Sequence, residues 1–173
     1  MNKESKSSNN LFNLVQTSQR ENLSSSALAY FLKNRDEFSN QLFEKLTGNK
    51  LSSSDQLEVI LEYSFKDEGR VDLLLKTNDS CYAIENKLNA DFGEDQLVRY
   101  SNGISNINRE TKIVIALVPQ RLKEHEKEST ADFVYWEELL KTTFNQPPQL
   151  WYELKEFVSE TISPVLPVTF PQI

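Results

Sequence analysis

Residues 69–100 read GRVDLLLKTNDSCYAIENKLNADFGEDQLVRY. Two β-compatible apolar runs, 70–76 and 81–87, flank Thr77-Asn78-Asp79-Ser80, whose short polar side chains suit a tight turn, so an antiparallel hairpin is expected. Charges sit inside this apolar frame: Asp72 in the first run, Glu85 and Lys87 at the end of the second. Side chains two apart on a strand face the same way, which sends Glu85 and Lys87 to one side and Asn86 to the other. Hairpin pairing can bring Asp72 to them. Charge buried in such runs is costly unless it is paired or holds a metal, so chemistry is expected at this trio. Over 91–104, Phe92, Leu97, Tyr100 and Ile104 follow early acidic residues and predict a helix on which Gln96 and Tyr100, four apart, share a face.

Working outward, KIVIALV at 112–118 is a continuous apolar run of the kind a central strand covered on both faces requires, and Pro119 closes it. The charged RLKEHEKE at 121–128 reads as a solvated helical face, 133–136 as a short apolar segment, and 150–162 as a helix. Toward the amino end, Leu57, Val59, Leu61 and Tyr63 alternate as in a half-buried strand. Leu11, Leu14 and Val15, then Leu23, Ala27, Leu28, Phe31 and Leu32, recur at helical spacing; Phe38, Leu42, Phe43 and Leu46 mark a further helix that Gly48 is placed to stop. Residues 1–10 are too polar to offset ordering entropy and are expected to form a flexible arm; 164–173 form a Pro-rich tail, leaving 11–163 as one domain. The order of elements predicts an α/β fold: a central mixed sheet flanked by helices, with helix 91–104 crossing over between strands.

The chain has 173 residues, 38% hydrophobic and 26% charged, enough for one packed core and incompatible with global disorder or a collagen-like repeat. Its formal net charge of −7 repels phosphate backbones, so nucleic-acid binding requires a local basic patch, a bound metal or a partner. The single cysteine, Cys81, forms no internal disulfide and reads as a small buried thiol in a reducing compartment. The polar amino-terminal stretch lacks an apolar targeting core, and no run approaches the roughly eighteen apolar residues of a membrane span. A cytoplasmic location is expected. His125, the one histidine, lies in a charged run, so zinc chemistry is not expected, and the four glycines form no phosphate-cradling loop.

Two carboxylates converging at a strand edge make a hard-oxygen site suited to Mg²⁺ or Mn²⁺, ions that keep several waters and complete their shell with phosphate oxygens. A neighbouring lysine can orient an attacking water and stabilise developing negative charge, an outline of phosphodiester hydrolysis. The Glu-x-Lys pattern alone carries nothing, since it also occurs at Glu4/Lys6, Glu110/Lys112 and Glu153/Lys155. Only Glu85/Lys87 lies in an apolar strand, follows an Asp in a preceding strand, and precedes a helix with Gln96 and Tyr100 on one face.

Gly69-Arg70-Val71-Asp72, Glu85-Asn86-Lys87 and Gln96-Leu97-Val98-Arg99-Tyr100 together resemble the G-x-x-D, E-x-K and Q-x-x-x-Y pattern of the PD-(D/E)XK nuclease superfamily, in particular its RecB-like branch. Val71 stands where the namesake proline would be, and the cysteines of the iron–sulfur members are absent. The resemblance implies a restriction-endonuclease-like core, Asp72 and Glu85 as metal ligands with the Asn86 carbonyl as a third, Lys87 as the catalytic lysine, and Gln96 and Tyr100 in support. It also implies an acidic residue from a helix before the sheet, for which Glu21 is the candidate, with Glu37 and Glu44 as competitors. The expected activity is Mg²⁺-dependent (or Mn²⁺-dependent) hydrolysis of DNA leaving a 5′-phosphate, in restriction, phage defence or DNA repair. DNA is expected before RNA, and a homodimer or larger complex is expected to supply further DNA contacts.

Each residue also has a plainer reading. Asp72, Glu85 and Lys87 could be an ion-pair cluster that fixes strand register. Gln96 and Tyr100 could be one amphipathic face, and Arg70 and Arg99 could neutralise Glu68 or Asp95. Trp136 and Trp151, with Phe133, Tyr135 and Tyr152, could stack on bases but fit core packing better. A catalytically silent binding or assembly module and a ribonuclease are the competing functions.

Overall fold

The structure, a computed structural model, describes residues 10–15 and 19–162. The arm at 1–9 and the tail at 164–173 therefore lie outside the described residues.

Five strands form one sheet in the order β1-β2-β3-β4-β5: Glu58–Phe65, Gly69–Lys76, Ser80–Asn86, Thr111–Val118 and Asp132–Tyr135. The pairs β1/β2 and β2/β3 are antiparallel, whereas β3/β4 and β4/β5 are parallel, so the sheet is mixed as expected. The hairpin closes where the Thr77 amide donates to the Ser80 carbonyl at 2.9 Å. A parallel β3/β4 pair demands a crossover, which helix α4 (Gln96–Ser105) supplies. Every residue of β3 is buried, as its place between β2 and β4 requires.

The layers follow from strand alternation. Leu73, Leu75, Tyr82, Ile84, Ile115 and Leu117 meet the helices α2 (Arg20–Lys33), α3 (Glu37–Thr47), α5 (Trp136–Lys141) and α6 (Gln149–Ile162) on one face. Leu74, Cys81, Ala83 and Val114 meet α4 through Tyr100 and Ile104 on the other. Trp136 and Trp151 are fully buried, so they are core; Tyr152 is exposed. Asp36 caps α3 by accepting from the Ser39 amide, and Gly48 ends it in the left-handed region at φ 74°.

Four expectations are corrected. Asn10 is no part of a loose arm: it is buried, caps the short helix α1 (Leu11–Leu14) and donates from Nδ2 to the Glu153 carbonyl at 2.9 Å. Helix α4 starts at Gln96, five residues after 91, because Asp95 takes φ 51° and Gly93 closes a turn onto Gln96. Trp136 opens α5, an unforeseen helix. In β1 the alternation breaks at Glu62, φ 52°, leaving Leu61 at 37% exposure while Tyr63 and Phe65 turn to the α4 face. The segment Gln120–Glu128 forms 3₁₀ turns and is exposed at every residue but Leu122.

Candidate functional site

Strands β2 and β3 pair as far as Leu73 opposite Ile84 and then part. Asp72 fills the opening: its Oδ2 accepts from the Asn86 amide at 2.7 Å, replacing a ladder bond with a carboxylate. Because the amide and carbonyl of one extended residue point to the same side, the Asn86 carbonyl is turned toward Asp72 as well.

Glu85 is buried at 3% exposure, and its two oxygens have unequal lots. Oε1 accepts from Lys87 Nζ at 2.8 Å and from Gln96 Nε2 at 2.7 Å, whereas Oε2 is buried with no hydrogen-bond partner. Gln96 Nε2 also donates to the Tyr100 hydroxyl at 2.9 Å, and that hydroxyl donates to the Arg70 carbonyl at 2.7 Å. Tyr100 is thus core by burial and partner to the site by its oxygen. A chain of bonds runs from β2 through α4 to the carboxylate of β3.

Burial, and then the Asp72 carboxylate, push Glu85 up to about 7, against the pull of Lys87. Asp72 is also raised, first by burial, with the Asn86 amide and Lys87 opposing and Glu21 and Glu62 adding to the rise. Tyr100 is pushed up to about 12 by burial and by Glu85. Two carboxylates and one lysine leave an excess of negative charge in a partly dry place. The unpartnered Oε2 and the two raised carboxyl groups are the features a divalent cation would relieve, so the donor set fits a hard cation. Among the described residues no group of three or more His, Cys, Asp or Glu side chains could hold a metal. A cation here would take its protein ligands from two carboxylates and a main-chain oxygen.

Glu21, near the start of α2, reaches the loop after β3: its Oε1 accepts from the amides of Leu88, Asn89 and Ala90 at 2.9, 3.1 and 3.0 Å. The competitors are elsewhere. Glu37 accepts from Asn145 Nδ2, and Glu44 is exposed in α3. Arg70 pairs with Glu62 at 3.8 Å in the open, not with Glu68 or Asp95. Thus Asp72, Glu85, Asn86, Lys87, Gln96, Tyr100 and Glu21 are brought together. The motif reading missed Ser24, Ser25 and Trp136, which surround the Asn86 side chain. The serines left one faint signal, small polar residues on the inward face of α2; Trp136, 50 positions from Asn86, left none.

A family model described as the PD-(D/E)XK nuclease superfamily matches residues 9–167, and the chain belongs to that superfamily. Its mixed five-stranded sheet flanked by helices is the restriction-endonuclease-like core. No curated protein and no solved structure matches the chain. Among the described residues no helix is long and apolar enough to cross a membrane.

Proposed function

We propose that the protein is a divalent-metal-dependent deoxyribonuclease of the RecB-like branch. The observation that carries this reading is Glu85 Oε2, a buried carboxylate oxygen without a partner beside Asp72 and Lys87. Asp72, Glu85 and the Asn86 carbonyl would hold Mg²⁺, with Mn²⁺ as substitute. When bound, the cation lowers the pKa of a water and neutralises phosphate charge. Lys87 orients the attacking water and takes up charge developing on the phosphate. Gln96 and Tyr100 hold the Glu85 carboxylate in one rotamer, and Glu21 ties the loop that follows Lys87. The plainer ion-pair reading accounts less well for Oε2, because a purely structural pair gains by satisfying both oxygens.

DNA is the proposed substrate, cut to leave a 5′-phosphate, in a cytoplasmic setting of restriction, phage defence or repair. A homodimer or larger assembly would add the cationic contacts that an acidic chain of net charge −7 needs. The test is cleavage of circular, linear and single-stranded DNA and of RNA with Mg²⁺, Mn²⁺ or EDTA, comparing wild type with folded Asp72→Ala and Lys87→Ala. Metal-dependent cutting of DNA, lost by about 10²-fold or more in each variant, supports the reading. Preference for RNA replaces the substrate. Inert wild type that binds no Mn²⁺ in calorimetry points to a silent module.

A further inference from the structure

The strand end that carries the site is held from behind by a residue the motif leaves unspecified. Asn86 is 2% exposed, on the face of β3 opposite Glu85 and Lys87, and both polar atoms of its side chain are engaged. Nδ2 donates to Ser24 Oγ at 2.7 Å, to Ser25 Oγ at 2.9 Å and to the Glu21 carbonyl at 3.1 Å; Oδ1 accepts from Trp136 Nε1 at 2.9 Å. With two N–H donors for three acceptors one N–H is shared, and these bonds together with the indole on Oδ1 hold the amide in one plane. The clamp joins α2, β3 and the first residue of α5.

An apolar side chain would fill this helix-covered face with less desolvation, so the clamp is better explained by what it orients than by its net stability. Asn86 ends β3, beyond its pairing with β2, where nothing on that edge but the Asp72 carboxylate fixes the twist of the strand. We propose that the Asn86 side chain, gripped by Ser24, Ser25, the Glu21 carbonyl and the Trp136 indole, is the positioning device that aims the Asn86 carbonyl, Glu85 and Lys87 at the cation and the phosphate. A side chain held in plane on one face restrains the two peptide units beside it, and with them the Asn86 carbonyl on the β2 edge and the Glu85 and Lys87 side chains on the opposite face, while the Lys87 amide is held to the Leu117 carbonyl at 2.9 Å on the β4 edge. Asn86 acts through its neighbours and touches no reacting atom with its own side chain.

The inference rests on the nuclease reading and is tested so that the two fail separately. The full chain is compared with Asn86→Leu, Trp136→Phe and the double variant Ser24→Ala/Ser25→Ala, at a temperature where circular dichroism shows each to be folded. Mn²⁺ binding is measured by calorimetry without nucleic acid, and cleavage kinetics with Mg²⁺ on the DNA that wild type cuts. We expect Mn²⁺ affinity to fall about 10-fold or more, as for other outer-shell losses, and kcat to fall with it while KM for DNA stays within about 2-fold. Unchanged Mn²⁺ affinity and kcat with only a lower Tm would overturn the inference and leave the nuclease reading intact. Wild type that neither binds Mn²⁺ nor cuts removes both. The serine pair decides the matter if Asn86→Leu does not fold, since Ser→Ala within a helix keeps helix propensity.

Discussion

Glu85 Oε1 takes two donors, Lys87 and Gln96, and the second is the one that fixes direction, because Gln96 is itself tied to Tyr100 and through it to the Arg70 carbonyl. Gln96→Ala removes that tie while keeping the Lys87 pair. The expected outcome is a stability loss of about 1 kcal/mol by urea denaturation and a drop in kcat of about 10-fold, measured at saturating DNA. Unchanged kcat would make Gln96 a helix-surface residue. Much of this was legible beforehand: a two-residue spacing sets Glu85 and Lys87 on one side, and a four-residue spacing sets Gln96 under Tyr100. The bare Oε2 and the grip on Asn86 were not: the first depends on how Lys87 and Gln96 both settle on Oε1, the second on side chains of α2 and α5 that only the folded chain brings near.

Helix α4 lies against the sheet at a distance that only glycine permits. A Cβ added to Gly103 would stand 2.7 Å from Phe65 Cβ and 2.8 Å from Phe65 Cδ1, well inside contact. Gly103→Ala must therefore push α4 away from β1, carrying Gln96 and Tyr100 with it. We expect a loss of about 1–3 kcal/mol, read as a fall in Tm of about 2–4 °C per kcal/mol. Phe65→Ala, which removes the clashing Cγ and Cδ1, should restore part of it in a double-mutant cycle, and additive losses would count against the clash. The strands β2, β3 and β4 were legible because apolar runs with turn signals between them admit few alternatives. Two elements were not. The start of α4 depends on Asp95 entering the left-handed region, which acidic residues at 91–95 do not announce; Trp136 extends an apolar run yet begins α5.

The separate pieces meet in how the whole molecule opens. Cys81 sits in β3 between β2 and β4 and is fully buried, so a thiol reagent reaches it only when the sheet comes apart. Burial pushes its thiol from 9.0 up to about 11. A folded pKa raised above the unfolded one means the folded state holds more protons between these values. Stability is therefore unaffected by Cys81 below about pH 9 and declines as pH rises toward about 11. Denaturant midpoints across that window should fall more steeply for wild type than for Cys81→Ala; parallel slopes would show that the thiol ionises freely.

The same thiol reads the occupancy of a site it does not touch. A cation that binds the folded site and not the unfolded chain stabilises by mass action, about 2.7 kcal/mol at one hundred times its Kd. When closing outpaces labelling, the modification rate tracks the open population, so at pH 8 saturating Mg²⁺ should slow Cys81 labelling about 100-fold. Asp72→Ala, which lacks one of the two carboxylates, should show no slowing. Na⁺ at matched ionic strength separates this from general screening, which is large in a chain of net charge −7. Equal slowing by Na⁺ and Mg²⁺ would mean that charge screening, and not a cation held by Asp72 and Glu85, closes the sheet.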